Sequence, residues 1–109
     1  RMVRARSRKP LDELAPGYEG WPAWARAAAE AVQNAPSGKN GQPWRMRMDG
    51  SAFVLLRQQR SSVLVPTYMA DVGIALLHAQ LAVQHEGITG TWERLDYDTG
   101  DIARFTPNA

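Results

Sequence analysis

The chain has no cysteine among its 109 residues, so it forms no disulfide and offers no thiolate to a metal. No apolar run approaches the roughly twenty residues that a membrane-spanning helix needs. No signal-like apolar segment follows the basic start. From these absences we predict a cytoplasmic protein that does not bind membranes.

Strong charge of either sign is also missing, because the formal net charge is only +2. Hydrophobic residues make up 44% of the chain and charged residues 22%, which is the balance of an ordinary globular domain. A chain of this size buries about two-thirds of its unfolded surface, so its stability margin is thin. We expect one hydrophobic core, and association with a partner would help to stabilise it.

Basic residues are concentrated at the start, at Arg1, Arg4, Arg6, Arg8 and Lys9. Such a cluster either attracts phosphate or forms a solvated basic arm, and the residues alone leave both readings open. Nucleic-acid binding would require the cluster to continue along a face with interleaved aromatics, whereas the next aromatics lie among Gly, Pro and Ala. We therefore predict no nucleic-acid partner.

Prolines and glycines, which interrupt regular secondary structure, divide the chain into a basic N-terminal arm or linker at 1–20 and a single domain at 21–109. Pro22 and the alanine-rich run after it predict a helix over 23–33. The buried stripe of that helix should contain Trp24, Ala28, Ala31 and Val32. Alternating residues at 44–48 and an apolar run at 52–56, joined by an Asp-Gly turn, predict a β-hairpin.

A second helix is predicted from about 68–71 to about residue 86, with Gly87 in the left-handed position after its end. Its apolar residues occupy more than one face, so it should be central in the domain or buried in a subunit contact. Residues 89–97 alternate as a strand does, and residues 98–101 should turn into a polar tail. The segment 61–66 is ambiguous and receives no assignment.

The sequence gives little support to metal binding, to a phosphate-binding P-loop or to a catalytic triad. His78 and His85 lie about 10 Å apart along one helix, too far to share a metal directly. We expect His78 to pack against the strands and His85 to face solvent. Gly38, Lys39 and Asn40 lack the spacing of a phosphate-binding P-loop, and no Ser/His/acid triad is supported. We predict no metal site and no catalytic side chain.

The segment 35–44 joins a helix end, a loop of small residues and a strand start. Prolines bracket residues with exposed amides and short hydrogen-bonding side chains, and Trp44 follows as an apolar anchor. Such loops are common wherever chains reverse, but the complete string is distinctive. It resembles the A-P-S-x-x-N-x-Q-P-W signature of the flavin-dependent nitroreductase family, matching Ala35, Pro36, Ser37, Asn40, Gln42, Pro43 and Trp44.

Further matches extend the resemblance over the chain. Residues 71–92 are similar to the family's long central helix and following strand, and Arg6-Ser7-Arg8-Lys9 lies where the family has an R-S-x-R motif, with Lys9 in place of the last arginine. Residues 8–14 also look like the start of the second half of the Thermotoga-type nitroreductases, which are built as two halves in tandem. Because the chain has about half the usual length, the resemblance implies a C-terminal half.

The resemblance implies an α+β fold, specifically a partial nitroreductase-like unit with an antiparallel sheet packed on a long central helix. It implies an oxidoreductase in which FMN passes electrons from NADH or NADPH to a nitroaromatic or quinone-like acceptor. Contacts to the FMN ring or ribityl chain would come from Pro36, Ser37, Gly38 and Asn40, and contacts to its phosphate from Arg6, Ser7 and Lys9. Gln42 would brace the loop.

Flavin sites of this family lie between two subunits or two halves, so the resemblance implies a partner: a missing N-terminal half or a second copy in a homodimer. The alternative is a degenerate, non-catalytic half that serves as a structural or dimerisation module. Lys9 and the short length motivate that alternative.

Overall fold

The computed structural model of the chain describes residues 10–35, 44–57, 66–94 and 101–108, and within the third range it describes side chains from Gly73 onward. The described helices are α1 (Leu11–Leu14), α2 (Ala23–Gln33) and α3 (Pro66–His85), with a 3-10 helix at Tyr18–Gly20. The described strands are β1 (Trp44–Asp49), β2 (Ala52–Arg57), β3 (Gly90–Arg94) and β4 (Asp101–Pro107).

The four strands form one antiparallel sheet in the order β1-β2-β4-β3. The predicted hairpin is confirmed, with β1 and β2 in register from Trp44 opposite Arg57 to Asp49 opposite Ala52. Gly50 in its turn has a φ of 61°, which glycine adopts without the strain that a Cβ would cause. The α+β class predicted from the sequence is therefore confirmed.

The polar tail expected after residue 98 is wrong from Asp101 onward, because β4 lies inside the sheet between β2 and β3. Ile102, Ala103 and Phe105 are all buried, and Phe105 lies opposite Phe53 of β2. Two consecutive residues, Ile102 and Ala103, are buried where the ladder with β2 is irregular. That irregularity disrupts the alternation that would mark a strand in the sequence.

Helix α2 has the predicted bounds, but its buried stripe differs from the prediction. Ala25, Ala28, Ala29 and Val32 are buried, at the spacing of one helical face. Trp24 packs against the core while remaining partly exposed, and Ala31 is half-buried. Helices α2 and α3 pack against each other. The buried face of α2 therefore includes Ala25 and Ala29 in place of Trp24 and Ala31.

Helix α3 begins at Pro66, slightly earlier than predicted, and proline suits the first position of a helix. At its other end Gly87 has a φ of 77°, while the amides of Gly87 and Ile88 donate to the carbonyl oxygens of Gln84 and Val83. This pattern is a Schellman motif, and it confirms the predicted role of Gly87.

The apolar residues of α3 extend beyond one face, as predicted. Ala75, Ala79 and Val83 are buried and form the face toward the core. Ile74, Leu77 and Leu81 are 37%, 52% and 55% exposed. We call these three residues the apolar stripe. His78 is half-buried and His85 is exposed, as expected for His85.

Part of the segment predicted as an arm packs on the domain. Leu14 and Ala15 are fully buried in the core, and Leu11 packs against it. Helix α1 therefore contributes to the hydrophobic core. The predicted boundary between the arm at 1–20 and the domain at 21–109 stays a prediction.

Candidate functional site

All seven residues predicted to bind the cofactor lie outside the described residues. They are Arg6, Ser7, Lys9, Pro36, Ser37, Gly38 and Asn40. Gln42, predicted to brace the loop, also lies outside them. The structure instead shows how the chain is anchored where it enters and leaves these two segments.

The chain leaves α2 for the signature segment through a fixed end. The Asn34 amide group donates to the Glu30 carbonyl oxygen at 2.9 Å, and the backbone amide of Ala35 donates to the Val32 carbonyl oxygen at 3.0 Å. Ala35 itself is fully buried. The residue before Pro36 is therefore part of the core.

The chain returns to the sheet at Trp44, which is also fully buried, as the predicted apolar anchor should be. Its indole Nε1 is buried and meets no hydrogen-bond acceptor among the described residues. An unpaired buried N–H is costly, because it loses its hydrogen bond to water. A buried donor without an acceptor among the described residues thus lies at the last residue of the signature segment.

The next residue links this strand start to helix α1. Arg45 Nη1 donates to the Trp44 carbonyl oxygen at 2.7 Å, and Arg45 Nη2 donates to Glu13 Oε2 at 3.2 Å. The Arg45 side chain is only 17% exposed, whereas that of Glu13 is 48% exposed. The sequence did not predict this contact, because the two residues lie 32 positions apart and Glu13 was recognised only as part of the segment 8–14.

A second polar link joins the 3-10 helix to α2. The Tyr18 hydroxyl donates to Glu30 Oε2 at 3.0 Å. This hydrogen bond, together with burial and the negative charge of Glu30, raises the pKa of Tyr18 above its ordinary value. Tyr18 also makes an edge contact with Trp21, which in turn contacts Phe53 in the sheet. The segment before α2 is thus held to the core by rings as well as by α1.

A shallow groove of about 320 Å³ lies between the end of α3 and strands β3 and β4. Its apolar wall contains Val83, Ile88, Trp92 and Phe105. No motif in the sequence pointed to it. Among the described residues no three His, Cys, Asp or Glu side chains are grouped as a metal site would need. Within the described part of the chain no helix is long and apolar enough to cross a membrane.

Comparison with known proteins identifies the family. Residues 1–83 match the model of the family described as "Putative TM nitroreductase". The match spans both segments predicted to bind the cofactor and most of the described fold. The chain belongs to this nitroreductase family, and the resemblance found in the signature segment is confirmed. No curated protein matches the chain.

A solved structure shows the same fold. The chain is similar to a crystal structure described as a "putative nitroreductase" from Thermotoga maritima, with a TM-score of 0.70 and 22% sequence identity. The similarity covers 98% of this chain but 45% of that protein. The chain therefore spans less than half the length of the protein it matches, as a partial unit of the fold should.

Proposed function

We propose that this chain is an FMN-dependent oxidoreductase unit that passes electrons from NADH or NADPH to a nitroaromatic or quinone-like acceptor in the cytoplasm. The observation that carries the proposal is the complete signature run at 35–44, whose two ends, Ala35 and Trp44, are both fully buried. Both attachment points of the segment thus belong to the core, which is the support that a binding loop requires.

By motif, Pro36, Ser37, Gly38 and Asn40 would hold the flavin ring and ribityl chain through backbone amides and short polar side chains. Arg6 and Ser7 would hold the phosphate through charge-assisted hydrogen bonds. Lys9 would supply charge without the planar fork of arginine.

When bound, FMN supplies the hydride and electron transfer. The residues of the chain bind it and orient it against its two substrates. The Trp44 indole N–H fits this role, because it is buried without an acceptor among the described residues and a carbonyl oxygen such as FMN carries would satisfy it. No side chain is assigned as nucleophile or general acid.

A partner completes the proposed unit, either the missing N-terminal half or a second copy of the chain. The apolar stripe on α3 supports this proposal, since three large apolar side chains at helical spacing are left in water. The chain also spans only 45% of the Thermotoga protein it resembles.

The absorption spectrum of protein purified without added cofactor tests the proposal, followed by FMN titration with the melting temperature as readout. Flavin bands, or a melting temperature that rises with FMN, are expected. The Asn40→Ala variant should bind FMN more weakly, whereas Asn108→Ala, which removes an amide bonded to the Thr89 hydroxyl at 3.1 Å just after β4, should bind it like wild type. If the protein is colourless and its melting temperature does not change when FMN is added, a flavin site in this chain is refuted.

The apolar stripe also favours a second function, that of a non-catalytic half which serves as a dimerisation module. In that case Asn40→Ala would change no ligand affinity, while charge on the stripe would still dissolve assembly. Weaker FMN binding in Asn40→Ala would contradict this second function.

A further inference from the structure

Aromatic rings follow one another from strand β3 to the segment before α2. Phe105 lies 5.0 Å from Trp92 and 5.3 Å from Trp24 between ring centroids. Phe53 lies opposite Phe105 in the pairing of β2 with β4, and its ring centroid is 6.2 Å from that of Trp21. We call these five residues, together with Tyr18 beside Trp21, the aromatic path.

Tyr18 ends the aromatic path at a phenol that already has a proton acceptor. Its ring lies 6.4 Å from that of Trp21, in an edge contact. Its hydroxyl donates to Glu30 Oε2 at 3.0 Å. Trp21 and Tyr18 are half-buried, whereas Glu30 is exposed. The path therefore runs from the buried rings of the sheet to a carboxylate in contact with water.

These residue types are the ones that carry single electrons. After cysteine, which the chain lacks, tryptophan and tyrosine are the side chains that lose one electron most readily. The Tyr18 hydrogen bond raises the pKa of its phenol, so the phenol is protonated at neutral pH. A phenol that loses an electron must also lose this proton, because its cation radical is a strong acid. The hydrogen bond to Glu30 supplies the base that takes it.

We propose that Trp21, Tyr18 and Glu30 form a proton-coupled radical relay that carries one-electron oxidation from the aromatic path to the protein surface. A one-electron radical oxidant takes an electron from Trp21, and the indole N–H proton passes to water. The indolyl radical then takes an electron from Tyr18 and a proton from water, which forms the N–H bond again. The Tyr18 O–H bond breaks, and its proton bonds to Glu30 Oε2.

The relay is reset at the surface. A soluble one-electron reductant such as ascorbate gives an electron to the Tyr18 phenoxyl and becomes a radical itself. The proton held on Glu30 returns to the phenoxyl oxygen, so both side chains regain their starting state. The net result is that oxidation which reaches the aromatic path is transferred to a small molecule in solution.

Pulse radiolysis in azide solution tests the relay, because azide radicals oxidise tryptophan in preference to tyrosine. In wild type the broad green absorption of the indolyl radical should decay while the narrow violet band of the tyrosyl radical grows at the same first-order rate. A rate independent of protein concentration identifies transfer within one molecule. Tyr18→Phe keeps the ring without the phenol, so this phase should be lost. Equal kinetics in wild type and Tyr18→Phe would overturn the proposal.

The other two tyrosines, Tyr68 and Tyr97, provide the matched control. Replacing both with phenylalanine leaves Tyr18 as the sole tyrosine, and this variant should keep the phase seen in wild type. Loss of the phase here would assign the transfer to another tyrosine. Trp21→Phe keeps a ring at that position but removes the neighbouring radical carrier, so the fast phase should be lost; an unchanged rate would remove Trp21 from the relay.

Glu30→Gln tests the proton acceptor. Glutamine can accept the hydrogen bond but is not a base, so transfer should slow at least roughly tenfold, the low side of what a positioned base contributes. The matched control is Glu19→Gln, because Glu19 influences Tyr18 through its charge and not through a hydrogen bond. Transfer in that variant should stay close to wild type. Equal rates in Glu30→Gln and Glu19→Gln would overturn the role of Glu30.

Transfer in wild type should also be slower in deuterium oxide than in water, because a proton moves with the electron. A rate without an isotope effect would contradict proton coupling. The relay uses no residue of the proposed flavin site, so protein that binds no FMN would leave it standing. Conversely, failure of the relay would leave the proposed function unaffected.

Discussion

Gly90 begins β3 at a point where two backbones approach closely. A Cβ there would overlap the carbonyl oxygen of Thr106 and come within 2.7 Å of Phe105 Cζ and of Pro107 Cα. Backbone atoms of a paired strand cannot move aside as a flexible side chain can. We expect Gly90→Ala to lower the free energy of unfolding by about 1–3 kcal/mol, measured by urea unfolding.

Gly73 on α3 is the matched control, because a Cβ at this position meets nothing within 4 Å. Gly73→Ala should raise the free energy of unfolding by about 0.5–1 kcal/mol, since alanine is the better helix former. If the substitution lowers the free energy of unfolding at position 90 and raises it at position 73, the steric effect of the close backbone approach is distinguished from the effect of glycine's backbone entropy. If Gly90→Ala were as stable as wild type, the close packing of β3 on β4 would be contradicted.

Tyr18 gives a prediction for alkaline pH. Its pKa is raised from 10.0, first because the hydroxyl donates to Glu30. The folded state therefore holds the proton more tightly than the unfolded state does. The stabilising effect is complete below the unfolded pKa of about 10 and is lost as pH rises through the folded pKa.

Tyr18→Phe removes this effect, so the stability difference between wild type and variant should shrink as pH rises above about 10. Urea unfolding at neutral and alkaline pH measures it. Because the hydrogen bond is exposed, the change will be small. A difference that stays constant with pH would contradict the link between Tyr18 and Glu30.

Among the described strands, β4 is the one that the local sequence pattern does not reveal. Its partners β2 and β3 pair with it from other parts of the chain, and β2 lies about fifty residues earlier. The register with β2 is irregular, so Ile102 and Ala103 are both buried and the alternation is lost. Pairing between distant segments is tertiary information, which a short window of sequence does not contain.

Local sequence signals were sufficient where residues at the ends of an element mark its start and its end. Helix α2 follows a proline and ends near Asn34, so its bounds were predicted correctly. The hairpin has its Asp-Gly turn, and each of its strands ends one residue later than predicted. The signature segment likewise identified the family from contiguous residues. The link between Glu13 and Arg45 had no such signal, because it depends on two residues brought together only by the fold.

The central position of β4 predicts a large effect for Phe105. Its ring is 2% exposed and contacts Trp24 at 5.3 Å and Trp92 at 5.0 Å between ring centroids. Phe105→Ala should lower the free energy of unfolding by about 3–5 kcal/mol, enough to unfold much of a small domain. Thr106→Ala, at the exposed neighbouring position, should change it by less than about 0.5 kcal/mol.

Thermal unfolding followed by circular dichroism measures both variants. If Phe105→Ala were no less stable than Thr106→Ala, Phe105 would not belong to the core. The residues after position 100 would then behave as the polar tail that the sequence suggested.

At the scale of the whole molecule, the apolar stripe on α3 is the surface through which we propose that the chain associates. Ile74, Leu77 and Leu81 are exposed, whereas Leu76 on the same helix packs against the core. A charge at Leu76 would therefore disturb the fold as well as any interface. Leu77 is the better site for a test, because its side chain is already half in water.

We expect Leu77→Glu to convert an assembled species to monomer while the melting temperature of the monomer stays near that of wild type. The physical reason is that a buried carboxylate without a partner in an apolar interface is costly, whereas the same carboxylate in water is not. Light scattering after size-exclusion chromatography measures the assembly, and circular dichroism measures the fold.

Ala23→Glu, an added carboxylate on the exposed start of α2, is the control and should leave assembly unchanged. If Leu77→Glu assembled like wild type, the apolar stripe would not be the contact surface. A flavin site completed across α3 would then be contradicted, even if the chain binds FMN on its own.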